Sequence, residues 1–170
     1  MKRKALAITL AAAMAMGTCA VTASAADGDK YTIGICQLVQ HEALDAATQG
    51  FKDEVTKELG EDAVTFDEQN AQGDSNTCST IINSFVSNNV DLILANATPA
   101  LQAAAAGTSD IPILGTSVTE YGVALGLDDF DGTVGGNISG TVDLAPLDEQ
   151  AAMLQELFPD AKNVGLLYCS

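Results

Sequence analysis

Positive charge is what this sequence has least of. Beyond residue 25 only Lys30, Lys52, Lys57 and Lys162 carry it, while the whole chain holds 23 Asp and Glu and a net charge of −16. Removing residues 1–25 takes away three cations and no acid, so the charge falls from −16 to −19. A surface this acidic repels phosphate backbones and anionic lipid, which argues against a nucleic-acid partner. Histidine is almost absent too, with His41 alone. Beside Glu42 and Asp45 it makes a weak metal signal and reads better as a loop residue at a helix start. Beyond residue 25 the cysteines are Cys36, Cys78 and Cys169. They fit no metal-ligand spacing, and an odd number cannot pair completely. Cys36 and Cys169 lie in apolar runs, where cysteine behaves as a small buried residue. Gly-x-Ser-x-Gly, Gly-x-Gly-x-x-Gly and the phosphate loop are missing. The sequence therefore calls for no metal, no cofactor and no catalytic residue.

What the N-terminus does have is ordered. Lys2, Arg3 and Lys4 precede a small apolar run over 5–16, and Ala23-Ser24-Ala25 follows. This is the pattern of a secretory signal peptide cleaved after Ala25. The apolar run is short of the roughly 20 residues that a membrane span needs. Cys19, in Met16-Gly17-Thr18-Cys19, offers lipid attachment as an alternative end point. No second apolar run approaches membrane length. The expected product is exported to the periplasm or the outer face of the cytoplasmic membrane, soluble or tethered at its N-terminus.

From residue 31 strand-like and helix-like segments alternate. Strands are expected at 31–38, 63–66, 90–95, 111–115, 137–142 and 164–169. Helices are expected at 41–59, 74–88, 99–106 and 146–158. The first helix carries Leu44, Ala47, Phe51, Val55 and Leu59 at helical spacing, and Gly60 ends it. Asp74 or Ser75 caps the second, and Pro99 stands in the first turn of the third. Strands separated by helices make βαβ units, and near-continuous apolar strands are buried on both faces. With right-handed crossovers the expectation is a doubly wound α/β parallel sheet. Residues 26–143 form this lobe. Residues 144–170 read as a crossover with the first helix and strand of a second, incomplete lobe, so a truncated chain and weak binding by this half alone are expected.

In open parallel sheets ligands bind beyond the C-terminal strand ends, where the strand order reverses. Four strand-to-helix junctions fall there: Gln40-His41-Glu42, the stretch from Asn70 to Asp74, Asn96 to Ala100, and Thr116-Ser117-Val118-Thr119. All are rich in hydrogen-bonding groups and poor in catalysts. Thr98-Pro99-Ala100 opens a helix, whose free N–H groups and dipole suit a carboxylate. The hydroxyls of Thr116, Ser117 and Thr119 add donors and acceptors. For the ammonium of a zwitterion Asp143 is the first choice, with Glu42 and Glu120 behind it. The bland alternative is that Asp143 caps the next helix or faces solvent.

Ile33-Gly34-Ile35, Gln40-His41-Glu42-Ala43-Leu44-Asp45, Gln69-Asn70-Ala71-Gln72-Gly73-Asp74, Ala97-Thr98-Pro99-Ala100, Thr116-Ser117-Val118-Thr119 and the stretch from Gly135 to Thr141 stand in order. Together they resemble the ABC transporter substrate-binding family related to tryptophan- and tyrosine-binding lipoproteins, from about residue 31 to 170. The chain departs from that pattern at Glu42, Glu120-Tyr121 and Val142-Asp143. The resemblance implies a type I periplasmic-binding fold of two lobes closing on an amino acid, with aromatic amino acids leading. It also implies that the Thr98 and Ser117 loops grip the carboxylate. The expected role is that of a monomeric solute-binding component delivering a small polar solute to the permease of an ABC importer. An exported ligand-sensing domain is the alternative.

Overall fold

The computed structural model describes residues 30–166. The segment expected to be a signal peptide, Cys19 and Cys169 lie outside the described residues. Five strands, β1 (Tyr31–Gln37), β2 (Val64–Asn70), β3 (Leu92–Asn96), β4 (Ile113–Val118) and β5 (Ile138–Val142), form one sheet in the order β2-β1-β3-β4-β5. Every pairing is parallel. Between them run α1 (Glu42–Leu59), α2 (Ser75–Ser87), α3 (Thr98–Gly107) and α4 (Tyr121–Leu125), and α5 (Leu147–Leu157) follows β5. The chain steps from β1 outward to β2, then returns over β1 to β3 and continues the other way. Right-handed crossovers then place α1 on one face and α2, α3 and α4 on the other. The sheet is doubly wound, as the segment pattern predicts.

Side-chain alternation sorts the core accordingly. Ile33, Ile35 and Leu94 are buried against Phe51 and Val55 of α1. Cys36, Ile93, Ala95 and Ile113 point the other way, into a larger cluster with Ile82 and Phe85 of α2 and Leu101 of α3. Local chemistry sets the helix limits. The Asp74 carboxylate accepts from Asn76 N at 2.6 Å and Thr77 N at 2.9 Å, so Asp74 rather than Ser75 caps α2. Gly60, at φ 93°, ends α1, where an L side chain would be strained.

Three sheet glycines admit two aromatic rings. A Cβ on Gly34 would meet the Phe85 ring at 2.7 Å. Gly115 and Gly140, register partners on β4 and β5, leave space for Tyr121, whose hydroxyl donates to Thr141 O at 3.3 Å.

Two features differ from the pattern. Helix α4 has five residues with a glycine among them, too short for its periodicity to register. Of the strand expected at 164–169, residues 164–166 are exposed and unpaired, and residues 167–170 lie outside the described residues. Helix α5 is exposed along its whole length.

Gly34→Ala should destabilise the fold by about 1–3 kcal/mol, since the Phe85 ring must leave its rotamer or the strand must shift. Chemical denaturation measures this, and Phe85→Leu in the same chain should recover part of the loss. A second expectation concerns alkali. Burial, and then the neighbouring thiol's charge, push Cys36 far above the usual thiol range, and burial also raises Cys78. Their contribution to stability is intact below the ordinary thiol pKa of about 8.5 and is lost as pH rises beyond it, because the unfolded chain ionises first. Denaturation midpoints should therefore fall from about pH 8.5 upward. The Cys36→Ala/Cys78→Ala double variant should show a flatter profile over that range.

Candidate functional site

The reversal of strand order falls between β1 and β3, so the crevice lies beyond Gln37 and Asn96, paired in register at the C-terminal strand ends. The four junctions named from sequence all stand at this edge. No Lys or Arg occurs in any of them. An anion held here would meet backbone N–H groups, hydroxyls, amides and the His41 imidazole rather than a lysine or arginine.

The helix starts at this edge are not alike. His41 Nδ1 accepts from Ala43 N at 3.2 Å and caps α1. Asp74 caps α2, and the Glu120 carboxylate caps α4 by accepting from Gly122 N at 2.8 Å and Val123 N at 2.5 Å. Helix α3 has no side-chain cap. Of its four leading N–H positions, Ala97 donates to Thr116 O at 3.0 Å and Pro99 has no N–H. Thr98 and Ala100 are left without an intrahelical acceptor. Among the four helices packed on the sheet, α3 is the one with an open N-terminus, and it starts next to the strand reversal.

Backbone strain collects here as well. Gln72 (φ 54°), Ala97 (φ 92°) and Ser117 (φ 55°) follow or end β2, β3 and β4 with positive φ and no glycine. Such residues cost of order 1–3 kcal/mol each and tend to gather at functional sites. Only Ser117 of the three was named from sequence among the site candidates. Strain at an alanine leaves no mark in sequence.

The named residues divide. Gln40 and His41 are exposed at the start of α1, Thr98, Pro99, Thr116 and Ser117 are half-buried, and Ala100 and Val118 are buried. The Asn70 side chain accepts from Gln72 N at 2.8 Å, closing a turn. Thr119 lines a cavity of 510 Å³ beside β5, with Glu120, Tyr121, Phe130, Val142 and Leu144 among its walls. Asp143 is exposed beyond β5, its N–H donating to Val118 O at 3.1 Å. It does not cap α5, whose N-cap is Pro146. With both oxygens on α4, Glu120 is the weaker ammonium partner. Among the described residues no group of three or more His, Cys, Asp or Glu is placed to hold a metal. Sequence reasoning missed Gln37 and Thr48, and it named Asn96 only as the first residue of a junction, not as a buried polar partner of these two.

A parallel sheet with an uncapped helix start at its switch point has the architecture in which open α/β sheets bind ligands. Residues 32–170 match the family described as ABC transporter substrate binding protein, and the chain belongs to that family. It is 43% identical over 140 residues to the tyrosine-binding protein of Clostridioides difficile, covering 80% of this chain and 40% of that protein. It is also similar to the solved ABC domain in complex with L-Trp from Streptococcus pneumoniae, with 32% identity and a TM-score of 0.70 over 78% of this chain and 45% of that one. A ligand-free, open substrate-binding protein with adhesive properties from Clostridium difficile superposes with a TM-score of 0.68 at 42% identity, over 78% of this chain and 45% of that one. The chain thus spans less than half the length of these relatives. The family is one of substrate-binding proteins rather than enzymes.

Ala97→Gly should relieve backbone strain and raise stability by about 1 kcal/mol after glycine's own entropic cost. A denaturant titration of the two chains measures it. A loss of stability instead would mean that the Ala97 methyl contributes more through packing than its backbone costs.

Proposed function

We propose that residues 26–143 form one wall of a cleft that captures an amino acid with an aromatic side chain and delivers it to an ABC permease outside the cytoplasm. Export rests on the signal-peptide pattern of residues 1–25. The observation that carries the ligand reading is the uncapped start of α3 at the strand reversal, where no cationic side chain competes for an anion. In this reading the carboxylate takes the Thr98 and Ala100 N–H groups, with the hydroxyls of Thr98, Thr116, Ser117 and Thr119 around it. Gln40, His41 and Asn70 line the wall, and Asp143 meets the ammonium. The tyrosine-binding relative and the L-Trp complex support the aromatic class. A second lobe beginning after Asp143 closes over the ligand, and the protein works as a monomer without cofactor. Closure removes water, which strengthens each polar contact to the zwitterion.

A thermal-shift series over the twenty amino acids, on a polypeptide carrying both walls, tests the reading. Ligand at 100 times its Kd adds about 2.7 kcal/mol to the folded state. Tyrosine, tryptophan or phenylalanine should raise Tm, and Asp143→Asn should reduce the shift. No shift with any amino acid would remove the ligand class and leave the family membership untouched.

A further inference from the structure

Beneath the crevice lies a chain of buried polar side chains that the capture reading does not use. Gln37 and Asn96 continue the stripes of Ile33, Ile35 and Leu94 that face α1, so two amides stand where two more apolar residues are expected. Gln37 is 4% exposed, Thr48 3% and Asn96 0%.

Backbone carbonyls fix which way these amides point, because a carbonyl only accepts. Asn96 Nδ2 donates to Leu44 O at 2.8 Å, and Gln37 Nε2 donates to Val39 O at 3.0 Å. Gln37 Oε1 must then accept, and the Thr48 hydroxyl donates to it at 2.7 Å. The same hydroxyl accepts from Asn96 Nδ2 at 2.9 Å. Gln37 Nε2 also reaches the Asp45 carboxylate at 2.6 Å. The polarity runs one way, from Asn96 through Thr48 and Gln37 to Asp45. Asn96 Oδ1 is left buried without a partner. An apolar pair would avoid that cost, and it persists where the arrangement has another use.

The backbone of the same residues ties the junctions together. Leu38 N donates to Asn96 O at 3.2 Å, Ala71 N to Gln37 O at 2.8 Å and Gly73 N to Leu38 O at 2.7 Å. Three of the four junction loops thus meet on Gln37, Leu38 and Asn96. Val39 and Leu44 flank His41 at the start of α1, and Asn96 precedes the strained Ala97 that opens α3.

We propose that Asn96, Thr48 and Gln37 are positioning residues that hold the start of α1, with His41, in fixed register against the start of α3, with Thr98. This rests on the capture reading only for its purpose, since the coupling of the two helix starts is a property of the chain itself. Thr48 is the central link, because its hydroxyl is both donor and acceptor.

Hydrogen exchange on the full chain separates the possibilities, with Thr48→Val removing the hydroxyl at equal shape and Thr48→Ser keeping it. The amides of Leu38, Asp45 and Leu101, which report the two helix starts, should exchange about tenfold faster in Thr48→Val. Amides in the middle of α2 should hold their rates, and Thr48→Ser should stay within about twofold of the parent. Unchanged rates at the three reporters would overturn the proposal, as would an equal rise at every amide, which marks global loss of stability. Should Thr48→Val not fold, Asp45→Ala on the half-buried rim removes one link, and about a threefold rise at the same amides is expected. In parallel, calorimetric titration of a polypeptide carrying both walls with L-tyrosine and L-tryptophan should show about tenfold weaker binding by its Thr48→Val form and near-parent binding by its Thr48→Ser form. If the parent binds neither, the aromatic ligand falls, while the exchange pattern still settles the positioning device by itself.

Discussion

The pairing of β1 with β3 is the constraint on which the rest depends. Once β2 has been laid on one side of β1, the chain must cross back to place β3 on the other. That return puts α1 and α2 on opposite faces and parts the loops at the C-terminal strand ends. A crevice opens over Gln37 and Asn96 as a consequence of chain path, before any side chain is chosen. The residues then decide what it can hold. No Lys or Arg stands in its four junctions, three helix starts are capped by His41, Asp74 and Glu120, and α3 is left open.

The polar residues at this edge do two different jobs. Those on the rim, such as Thr98 and Ser117, are half-buried and free to meet a ligand. Those beneath it, Gln37, Thr48 and Asn96, are closed off from solvent and bonded to one another and to backbone. A receptor that relies on neutral donors needs them held in place, because each hydrogen bond contributes only about 0.5–1.5 kcal/mol and weakens steeply with misalignment. Strain at Ala97 and Ser117 belongs to the same economy of placement, since both residues are kept in a backbone conformation they would not choose alone.

Much of the fold was legible in the sequence because its signals are local and repeated. Five apolar runs separated by amphipathic stretches gave the strands and the long helices to within a few residues, and Asp74, Gly60 and Pro99 marked their limits. The exceptions have physical causes. Helix α4 depends on Glu120 folding back onto two N–H groups, and five residues are too few to show a period. A parallel pairing leaves no trace of its register, so Gln37 and Asn96 could not be seen as neighbours although they lie 59 positions apart. For the site, the junctions were readable because Thr-Pro-Ala and Thr-Ser-Val-Thr are chemically distinctive. Which helix start is open was not, because capping depends on where a side chain turns. The turn that Asn70 closes by accepting from Gln72 N was likewise not readable.

The likeness to relatives more than twice as long bears on how the exposed surface is understood. Val142, Leu144, Leu147, Leu154 and Leu157 are exposed on β5, α5 or the link between them, and so is Phe158, which ends α5. On α5 Leu147, Leu154 and Leu157 recur at the spacing of one helical face. An amphipathic helix of 11 residues has little stability alone, and most of its order comes from what its apolar face touches. The contrast with residues 31–142 is therefore physical as well as positional. There the apolar faces are matched, α1 against Ile33, Ile35 and Leu94, and α2 and α3 against Cys36, Ile93 and Ile113. The matching stops near Asp143, the residue after which the proposed second lobe would begin.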